Sequence, residues 1–168
     1  MEAVGAMLGG RVIQVAIVVS DLDAALRSSA EIFGADRWRC YTFGPFGQHE
    51  YYGAPNRFSV RLALNDASPQ VELIQPLEGR SIQRDWLEER GEGLHHIAVV
   101  VPSVAQASEA MAALGYPVMQ SGRGFGVGGD GDGAYAYIDT TAALGVIVEA
   151  IEQPSSLPPP DAIWPASS

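Results

Sequence analysis

The sequence contains no lysine, since all ten of its basic residues are arginines. Without a lysine amine the chain forms no Schiff base and has no lysine for a phosphate-binding loop. Cysteine is nearly absent too. The single Cys40 allows neither an internal disulfide nor a cysteine-based zinc knuckle, a pattern typical of a reducing compartment. We expect Cys40 to be a half-buried apolar side chain.

Positive charge is scarce, and the formal net charge is −10. This balance disfavours nucleic acid and anionic membranes as partners, because both bind basic surfaces. No apolar run approaches the length that spans a bilayer, and residues 1–10 lack the basic start and apolar core of a secretion signal. We therefore expect a cytoplasmic protein whose partner is a small-molecule substrate.

Two stretches of the chain resemble one another and have polar residues at corresponding positions. Residues 14–19 (QVAIVV) correspond to 96–101 (HIAVVV), and residues 71–76 (VELIQP) correspond to 148–154 (VEAIEQP). In each half the first stretch is followed by a helical pattern and then by three strand candidates. Both halves therefore have the order β-α-β-β-β, as in an internal repeat.

The predicted elements are apolar or amphipathic segments bounded by turn residues. The strands are 11–19, 38–43, 58–64 and 70–74 in the first half and 94–101, 116–120, 134–139 and 145–151 in the second. The helices are 22–33 and 104–114. Ser20 with Asp21 and Ser103 cap their N-termini, and Gly34 and Gly115 end them.

The regions outside the two modules have their own patterns. Residues 80–90 are helical, and the tail contains Pro154 and the prolines 158–160. We expect the tail to be extended and mobile, or strapped across a neighbour by Trp164. The resulting division is an N-terminal extension 1–10, a first module 11–77, a linker helix 78–93, a second module 94–152 and a Pro-rich tail 153–168.

Four polar side chains interrupt the apolar strands at corresponding places: Gln14, Glu72, His96 and Glu149. An alanine follows two positions after Gln14 and after His96, on the same face, and leaves room for a ligand. A buried unpaired carboxylate is costly, and a cation between the two glutamates would remove that cost. One imidazole, one amide and two carboxylates suit one divalent ion of Zn, Ni, Co, Mn, Fe or Mg.

His95 competes with His96, because adjacent strand residues face opposite sides of a sheet. The alignment with Gln14 selects His96. The glycine-rich residues 122–133 precede a strand rather than a helix, which excludes a dinucleotide-binding loop, and they lack the closing glutamate of a calcium loop. We expect this stretch to be a flexible lid over the metal cavity.

The doubled module, with residues 93–98 (GLHHIA) opening its second half, resembles the vicinal oxygen chelate superfamily of glyoxalases, methylmalonyl-CoA epimerases, extradiol dioxygenases and bleomycin-resistance proteins. The resemblance covers residues 11–153. It implies an α+β fold in which two tandem β-α-β-β-β modules form a half-open mixed β-barrel around one metal cavity. Residues 71–77 (VELIQPL), the linker helix and residues 91–96 (GEGLHH) are most similar to the methylmalonyl-CoA epimerase branch.

In that branch the resemblance implies the metal ligands Gln14, Glu72, His96 and Glu149, and it implies a homodimer. Epimerases usually have histidine in place of Gln14, whereas a glutamine, glutamate, histidine, glutamate set is similar to that of eukaryotic-type glyoxalase I. The proton-abstracting glutamate of the epimerases would fall in the strand where this chain has Ser59-Val60-Arg61. The resemblance therefore implies a metal site without implying methylmalonyl-CoA as the substrate.

A divalent ion chelated by two neighbouring substrate oxygens stabilises an enolate and eases removal of the adjacent proton. The expected activity is therefore that of a metal-dependent isomerase, epimerase or lyase. Candidates for the residue that moves the proton are Glu149, Glu72 and Glu50, the last in a loop before the third strand.

Arg61, Arg123 and Tyr51 are candidate substrate-binding residues, with the arginines as clamps for a carboxylate or phosphate. Two alternatives stay open. One is a non-enzymatic small-molecule binding or resistance protein of the same fold. The other is an extradiol-type dioxygenase, which requires two histidines and one carboxylate around iron.

Overall fold

The computed structural model describes residues 11–33, 37–45, 48–126 and 131–166. The expected N-terminal extension 1–10, the helix end at Gly34 and residues 127–130 of the expected lid lie outside the described residues. In the part of the chain that is described, no helix is long and apolar enough to cross a membrane.

The strands and helices follow the predicted order with several additions. In chain order they are β1 (Val12–Val18), α1 (Leu22–Phe33), β2 (Trp38–Phe43), β3 (Gln48–Tyr51), β4 (Ala54–Asn56), β5 (Ser59–Leu64), β6 (Gln70–Glu78), α2 (Ile82–Arg90), β7 (Gly93–Val100), α3 (Val104–Ala113), β8 (Val118–Phe125), β9 (Gly133–Ile138), α4 (Thr141–Leu144), β10 (Ile147–Glu152) and β11 (Ala162–Trp164).

The described strands form one mixed sheet in the order β11-β2-β5-β6-β1-β7-β10-β9-β8-β3-β4. The first half contributes β2-β5-β6-β1, and the second half contributes the mirror order β7-β10-β9-β8. The halves join through the antiparallel pair β1 and β7, and each of these has a parallel partner, β6 or β10. This is the predicted arrangement of two tandem modules, and the α+β fold with its half-open mixed barrel is confirmed.

Each half buries its helix against its own strands. Helix α1 begins at Asp21, whose Oδ1 accepts from the amide of Ala24 at 2.9 Å, and it packs Leu22 and Leu26 into a cluster with Trp38. Helix α3 begins at Ser103, as predicted, and packs Val104, Ala107 and Met111 against β9 and β10. Two separate helix-on-sheet cores therefore hold the central strands β1, β6, β7 and β10 in place.

The hairpin β3–β4 was not predicted. It leaves the first half between β2 and β5 and pairs with β8, the edge strand of the second half. Tyr52 and Gly53 form its two-residue turn with φ angles of +47° and +76°, the geometry that a type I′ turn requires. The prediction that Glu50 lies in a loop was wrong, because Glu50 pairs with Ser121 of β8 as part of β3.

The expected lid is also corrected in part. Residues 122–125 belong to β8, where their backbone pairs with β9 on one side and, at 122 and 123, with β3 on the other. Pairing on both sides fixes this segment in the sheet.

The tail is strapped to the first module, which is the second of the two arrangements expected for it. Strand β11 pairs with β2, with Ala162 opposite Cys40 and Trp164 opposite Trp38. Trp164 packs against the cluster of α1 and first-half strand residues, and the half-buried Cys40 is part of the same packing.

Candidate metal centre

Two carboxylates enter the middle of the sheet from equivalent positions. Glu72 on β6 lies in register with Ala16 on β1, and Glu149 on β10 lies in register with Ala98 on β7. The small alanines leave space beside the carboxylates. Glu72 is 6% exposed and Glu149 is 5% exposed, and burial is the main reason that the pKa of Glu72 lies above its ordinary value.

His96 contacts both carboxylates. Its Nε2 atom is 3.3 Å from Oε2 of Glu72 and 3.4 Å from Oε2 of Glu149. By geometry Nε2 makes no hydrogen bond with any described residue, so we treat both contacts as attraction between charges. Burial opposes a positive charge on this ring, but Glu149 and Glu72 outweigh burial and raise the pKa of His96 to about 9.

His95 determines which nitrogen of His96 faces the carboxylates. Nε2 of His95 lies 3.4 Å from the carbonyl oxygen of Ile82, and the Nδ1 atoms of the two histidines are 2.8 Å apart. A carbonyl only accepts, so Nε2 of His95 is the donor of that contact. Burial holds the pKa of His95 well below its ordinary value, so its Nδ1 is an acceptor. Nδ1 of His96 therefore donates, and Nε2 of a neutral His96 has a lone pair directed at the glutamates.

Gln14 occupies the first-half position that corresponds to His96, and it lines a cavity that Glu72 and Glu149 also line. Its amide nitrogen donates to Oε1 of Gln70 at 3.0 Å, and Gln70 is its register neighbour on β6. That bond uses the amide nitrogen of Gln14 and not its amide oxygen. The structure therefore brings Glu72, His96 and Glu149 together and places the fourth predicted ligand, Gln14, on the wall of the cavity that the two glutamates line.

The donors suit a divalent ion in their chemistry, because they combine a buried imidazole lone pair with two carboxylate oxygens. The observation that fits a metal is that Nε2 of His96 is buried and, among the described residues, has carboxylate neighbours but no hydrogen-bond partner. Within the described residues, no group of three or more histidine, cysteine, aspartate or glutamate side chains encloses a ready-made cation position. The ion pairs of His96 with Glu72 and Glu149 fill the centre instead, so a metal would take the place of the proton on Nε2.

The two glutamates face a cavity of about 200 Å³. Two tyrosines of β9, Tyr135 and Tyr137, also line it. The pKa of Tyr137 lies well above its ordinary value, mainly because the side chain is buried. The charges of Glu149 and Glu72 raise it further. Tyr137 therefore stays protonated and is available as a hydrogen-bond donor.

Sequence reasoning missed a second buried polar pair at one side of this cavity. Nδ1 of His49 lies 2.9 Å from the hydroxyl of Tyr135. Gly122 on β8 is in register with both residues, and a Cβ atom added to it would lie 2.5 Å from Nδ1 of His49. The only signal in the sequence was the glycine itself, because His49 comes from the first half and Tyr135 from the second.

The remaining predicted site residues lie elsewhere. Glu50 is exposed on β3, and the hydroxyl of Tyr51 donates to Asp85 at the start of α2. Glu50 and Tyr51 are not among the described residues that line the cavity. Their predicted roles as base and substrate contact stay predictions, and their positions give them no support.

The two predicted arginine clamps are also outside the cavity. Nη2 of Arg61 pairs with Oδ1 of Asp23 at 3.0 Å on the outer side of the first module. Arg123 lines a separate concavity together with Asp132 and Glu152. The prediction that these arginines bind substrate likewise gains no support from their placement.

A family model described as the Glyoxalase/Bleomycin resistance protein/Dioxygenase superfamily matches residues 13–137. No curated protein matches the sequence. Solved structures do match: the hypothetical protein BH1468 from Bacillus halodurans C-125 is 21% identical with a TM-score of 0.61, over 85% of this chain and 94% of that one.

Two methylmalonyl-CoA epimerases are similar to the same extent. A variant of the Streptomyces coelicolor enzyme in complex with 2-nitronate-propionyl-CoA is 22% identical with a TM-score of 0.60, over 84% of this chain and 95% of that one. The Mycobacterium tuberculosis enzyme is 22% identical with a TM-score of 0.55, over 88% and 89% of the two chains. At these identities the likeness shows the fold alone.

Proposed function

The chain belongs to the glyoxalase/bleomycin resistance protein/dioxygenase superfamily, and from this premise we propose that it is a divalent-metal-dependent enzyme. The proposed chemistry is proton transfer next to a metal-chelated carbonyl, in an isomerase, epimerase or lyase. One observation supports it above the others: Nε2 of His96 is buried, lacks a hydrogen-bond partner among the described residues and faces Glu72 and Glu149.

Glu72, His96 and Glu149 would hold the ion, and Gln14 would add its amide oxygen as a fourth ligand. The bound ion would supply Lewis-acid stabilisation of negative charge on a carbonyl or enolate oxygen. His95 keeps Nδ1 of His96 occupied as a donor, so that Nε2 is the ligating nitrogen. The identity of the ion, among Zn, Ni, Co, Mn, Fe and Mg, is left to measurement.

The proton would be moved by Glu149 or Glu72, because both line the cavity. Tyr137, in register with Glu149 on the neighbouring strand, would donate a hydrogen bond at the same end of the cavity. Burial around these groups removes competing water and strengthens the electrostatic interactions.

The test is metal analysis of the purified protein, followed by deuterium exchange from solvent into candidate substrates. The panel comprises α-hydroxycarbonyls and acyl-CoA thioesters, each with the protein as purified, after chelation and after reloading with each metal. We expect about one ion per chain and exchange that chelation abolishes. Replacement Glu149→Gln or Glu72→Gln should lower exchange by roughly 10²–10⁴-fold for the residue that is the base. The proposal would be contradicted if the purified protein retained no divalent metal and if neither replacement changed the deuterium exchange.

A second candidate is a non-enzymatic binding protein, and the apolar wall of the cavity favours it. Phe43, Leu62, Ile74 and Phe125 all line the cavity, as a site for a hydrophobic ligand requires. Such a protein would bind its ligand equally well with and without metal, and it would not catalyse deuterium exchange into that ligand. An extradiol-type site has less support, because Gln14 stands where its second histidine would be needed. The expected homodimer remains a prediction, which light scattering can check.

A further inference from the structure

The cavity is polar at its centre and apolar around it. On β1, β6, β10 and the neighbouring β9, the polar lining residues are Gln14, Glu72, Glu149, Tyr135 and Tyr137. The outer strands of the first module, β2 and β5, contribute aromatic and aliphatic groups, among them Phe43, Val60 and Leu62. A ligand whose polar end reaches the glutamates therefore places the rest of its surface against hydrocarbon.

Outside the proposed metal centre, none of the described residues on the wall of the cavity is a cation that would pair with an anionic ligand. All ten basic residues are arginines, every one lies in the described part of the chain, and none of them lines the cavity. Arg61 is paired with Asp23, and Arg123 lines a separate concavity. A carboxylate or phosphate on the part of the ligand that lies against the apolar wall would be buried without a partner, which is costly.

The C-terminal tail closes one side of the cavity with further apolar surface. Leu157, Pro158 and Pro159 line it. The next residues fasten this segment to the first module: Oδ2 of Asp161 accepts from the amide of Thr42 at 2.6 Å, and the amide of Asp161 donates to the carbonyl of Cys40 at 2.9 Å. With the pairing of β11 and β2, these bonds make the tail a wall of the cavity.

The volume limits the part of the ligand that the cavity can enclose. A cavity of about 150 Å³ is known to hold one benzene molecule, so the 200 Å³ available here corresponds to about one six-membered ring with a short substituent. The cavity is open to solvent on one side, so larger groups of a ligand, such as the nucleotide of coenzyme A, would lie outside it.

From these observations we propose that the ligand is a compact, uncharged molecule with an aryl or alkyl body of about one ring and two neighbouring oxygens at one end. On this proposal a dicarboxylate or a coenzyme A thioester binds more weakly than an uncharged ligand with the same oxygen pair. The assignment of the oxygen pair rests on the proposed metal function, whereas the apolar, uncharged body rests on the cavity alone. An α-hydroxyketone with a phenyl group represents this class.

Calorimetric titration with matched probes tests the proposal. The probes are α-hydroxyacetophenone, its para-carboxylate, acetophenone and methylmalonyl-CoA, each with the chelated and the metal-reloaded protein. We expect the uncharged hydroxyketone to bind at least tenfold more tightly than its carboxylate, and methylmalonyl-CoA not to displace it. Equal or tighter binding of either anionic probe overturns the proposal, and so does absence of binding by the hydroxyketone.

The two proposals fail in different ways. If metal loading changes the affinity for neither hydroxyketone nor acetophenone, the metal function fails while the apolar, uncharged class stands. If metal loading tightens binding but the carboxylated probe binds best, the metal function stands and the ligand class fails.

A pair of leucine variants localises the binding. Leu157 lines the cavity but is 47% exposed, so Leu157→Arg adds a charge at the wall without burying it in the core. Leu114, 52% exposed at the end of α3, gives the matched control Leu114→Arg. We expect L157R to weaken hydroxyketone binding at least fivefold and to strengthen binding of the carboxylate, while L114R changes neither. Identical affinities for L157R and the unchanged chain would overturn the assignment, with circular dichroism confirming that both variants fold.

Discussion

Gln14 and His96 occupy the same position in the two halves of the molecule, yet only His96 contacts the paired carboxylates. The backbone does not explain the difference, because both residues lie on the antiparallel central pair β1 and β7, each opposite an alanine of the other strand. Their register neighbours on the adjoining parallel strands differ. Gln14 has Gln70 beside it and donates to it, whereas His96 has the apolar Ile147 beside it.

The residue before each of these positions differs as well. His95 accepts from Nδ1 of His96 and so orients its ring, while Ile13 precedes Gln14 and has no polar group to offer. A duplicated fold therefore supplies two equivalent positions, and the immediate neighbours decide whether the side chain turns to the centre or to the side.

The replacement His96→Gln gives both halves the same residue, and we expect its effect to be the largest. Removing the imidazole leaves Glu72 and Glu149 buried without their partner, which should lower the free energy of unfolding of the metal-free protein by about 3–5 kcal/mol. Metal binding should be lost. Urea unfolding and metal titration measure the two effects, with Gln14→Ala as the matched first-half variant. Equal losses from the two replacements would contradict the asymmetry.

The pH dependence of stability should show the same asymmetry, because only the second half has a titrating group at this position. The pKa of His96 rises from 6.5 to about 9 on folding, so its stabilisation is fully present below pH 6.5 and is lost as the pH rises through 9. The raised pKa of Glu72 acts in the same direction. Denaturant unfolding of the metal-free protein should show a loss on the order of 2–3 kcal/mol from pH 6 to pH 10. If the His96→Gln variant loses the same stability between pH 6 and pH 10, another group causes the loss.

His95→Phe tests whether the orientation of His96 depends on its neighbour. We expect metal affinity to fall by about 10–100-fold, because Nδ1 of His96 loses its acceptor and the ring is no longer fixed. Ile13→Phe introduces the same side chain at the equivalent first-half position and should leave metal affinity within about twofold. Metal titration monitored by calorimetry distinguishes the two, and a similar loss in both variants would assign the effect to packing.

Gln70→Ile gives the first half the apolar neighbour of the second half. Gln14 would lose its hydrogen-bond acceptor, at a cost of about 1 kcal/mol of stability, and its amide would be free to turn toward the glutamates. We expect metal affinity to rise by a few fold, the smallest of these effects. The double variant Gln70→Ile with Gln14→Ala should remove the gain, and persistence of the gain in that variant would rule out Gln14 as its source.

The order of the elements was predictable because its signals are local. Helix α1 has its predicted bounds, Leu22–Phe33, because Asp21 caps it and apolar residues recur along one face. Helix α3 likewise begins after its predicted cap, Ser103. The hairpin β3–β4 was missed because its segment is short and polar, and its partner β8 lies about 70 residues further along the chain.

The candidate site was predictable as far as the repeat reaches. Glu72, His96 and Glu149 were identified because polar residues in apolar strands are conspicuous and recur in both halves. The role of His95, the contact between His49 and Tyr135, and the position of Arg61 outside the cavity were not predictable. Each depends on which side chains lie beside one another across strands that are distant in sequence.

The sequence by itself therefore determined the two modules, their helix caps and the three side chains that meet at the centre, since periodicity and repetition are properties of neighbouring residues. The tertiary structure alone decided that Gln14 turns to Gln70, that no arginine among the described residues reaches the cavity, and that the tail forms part of its wall. These outcomes follow from strand register and from competition among hydrogen-bond partners, which are fixed only when the whole sheet has assembled.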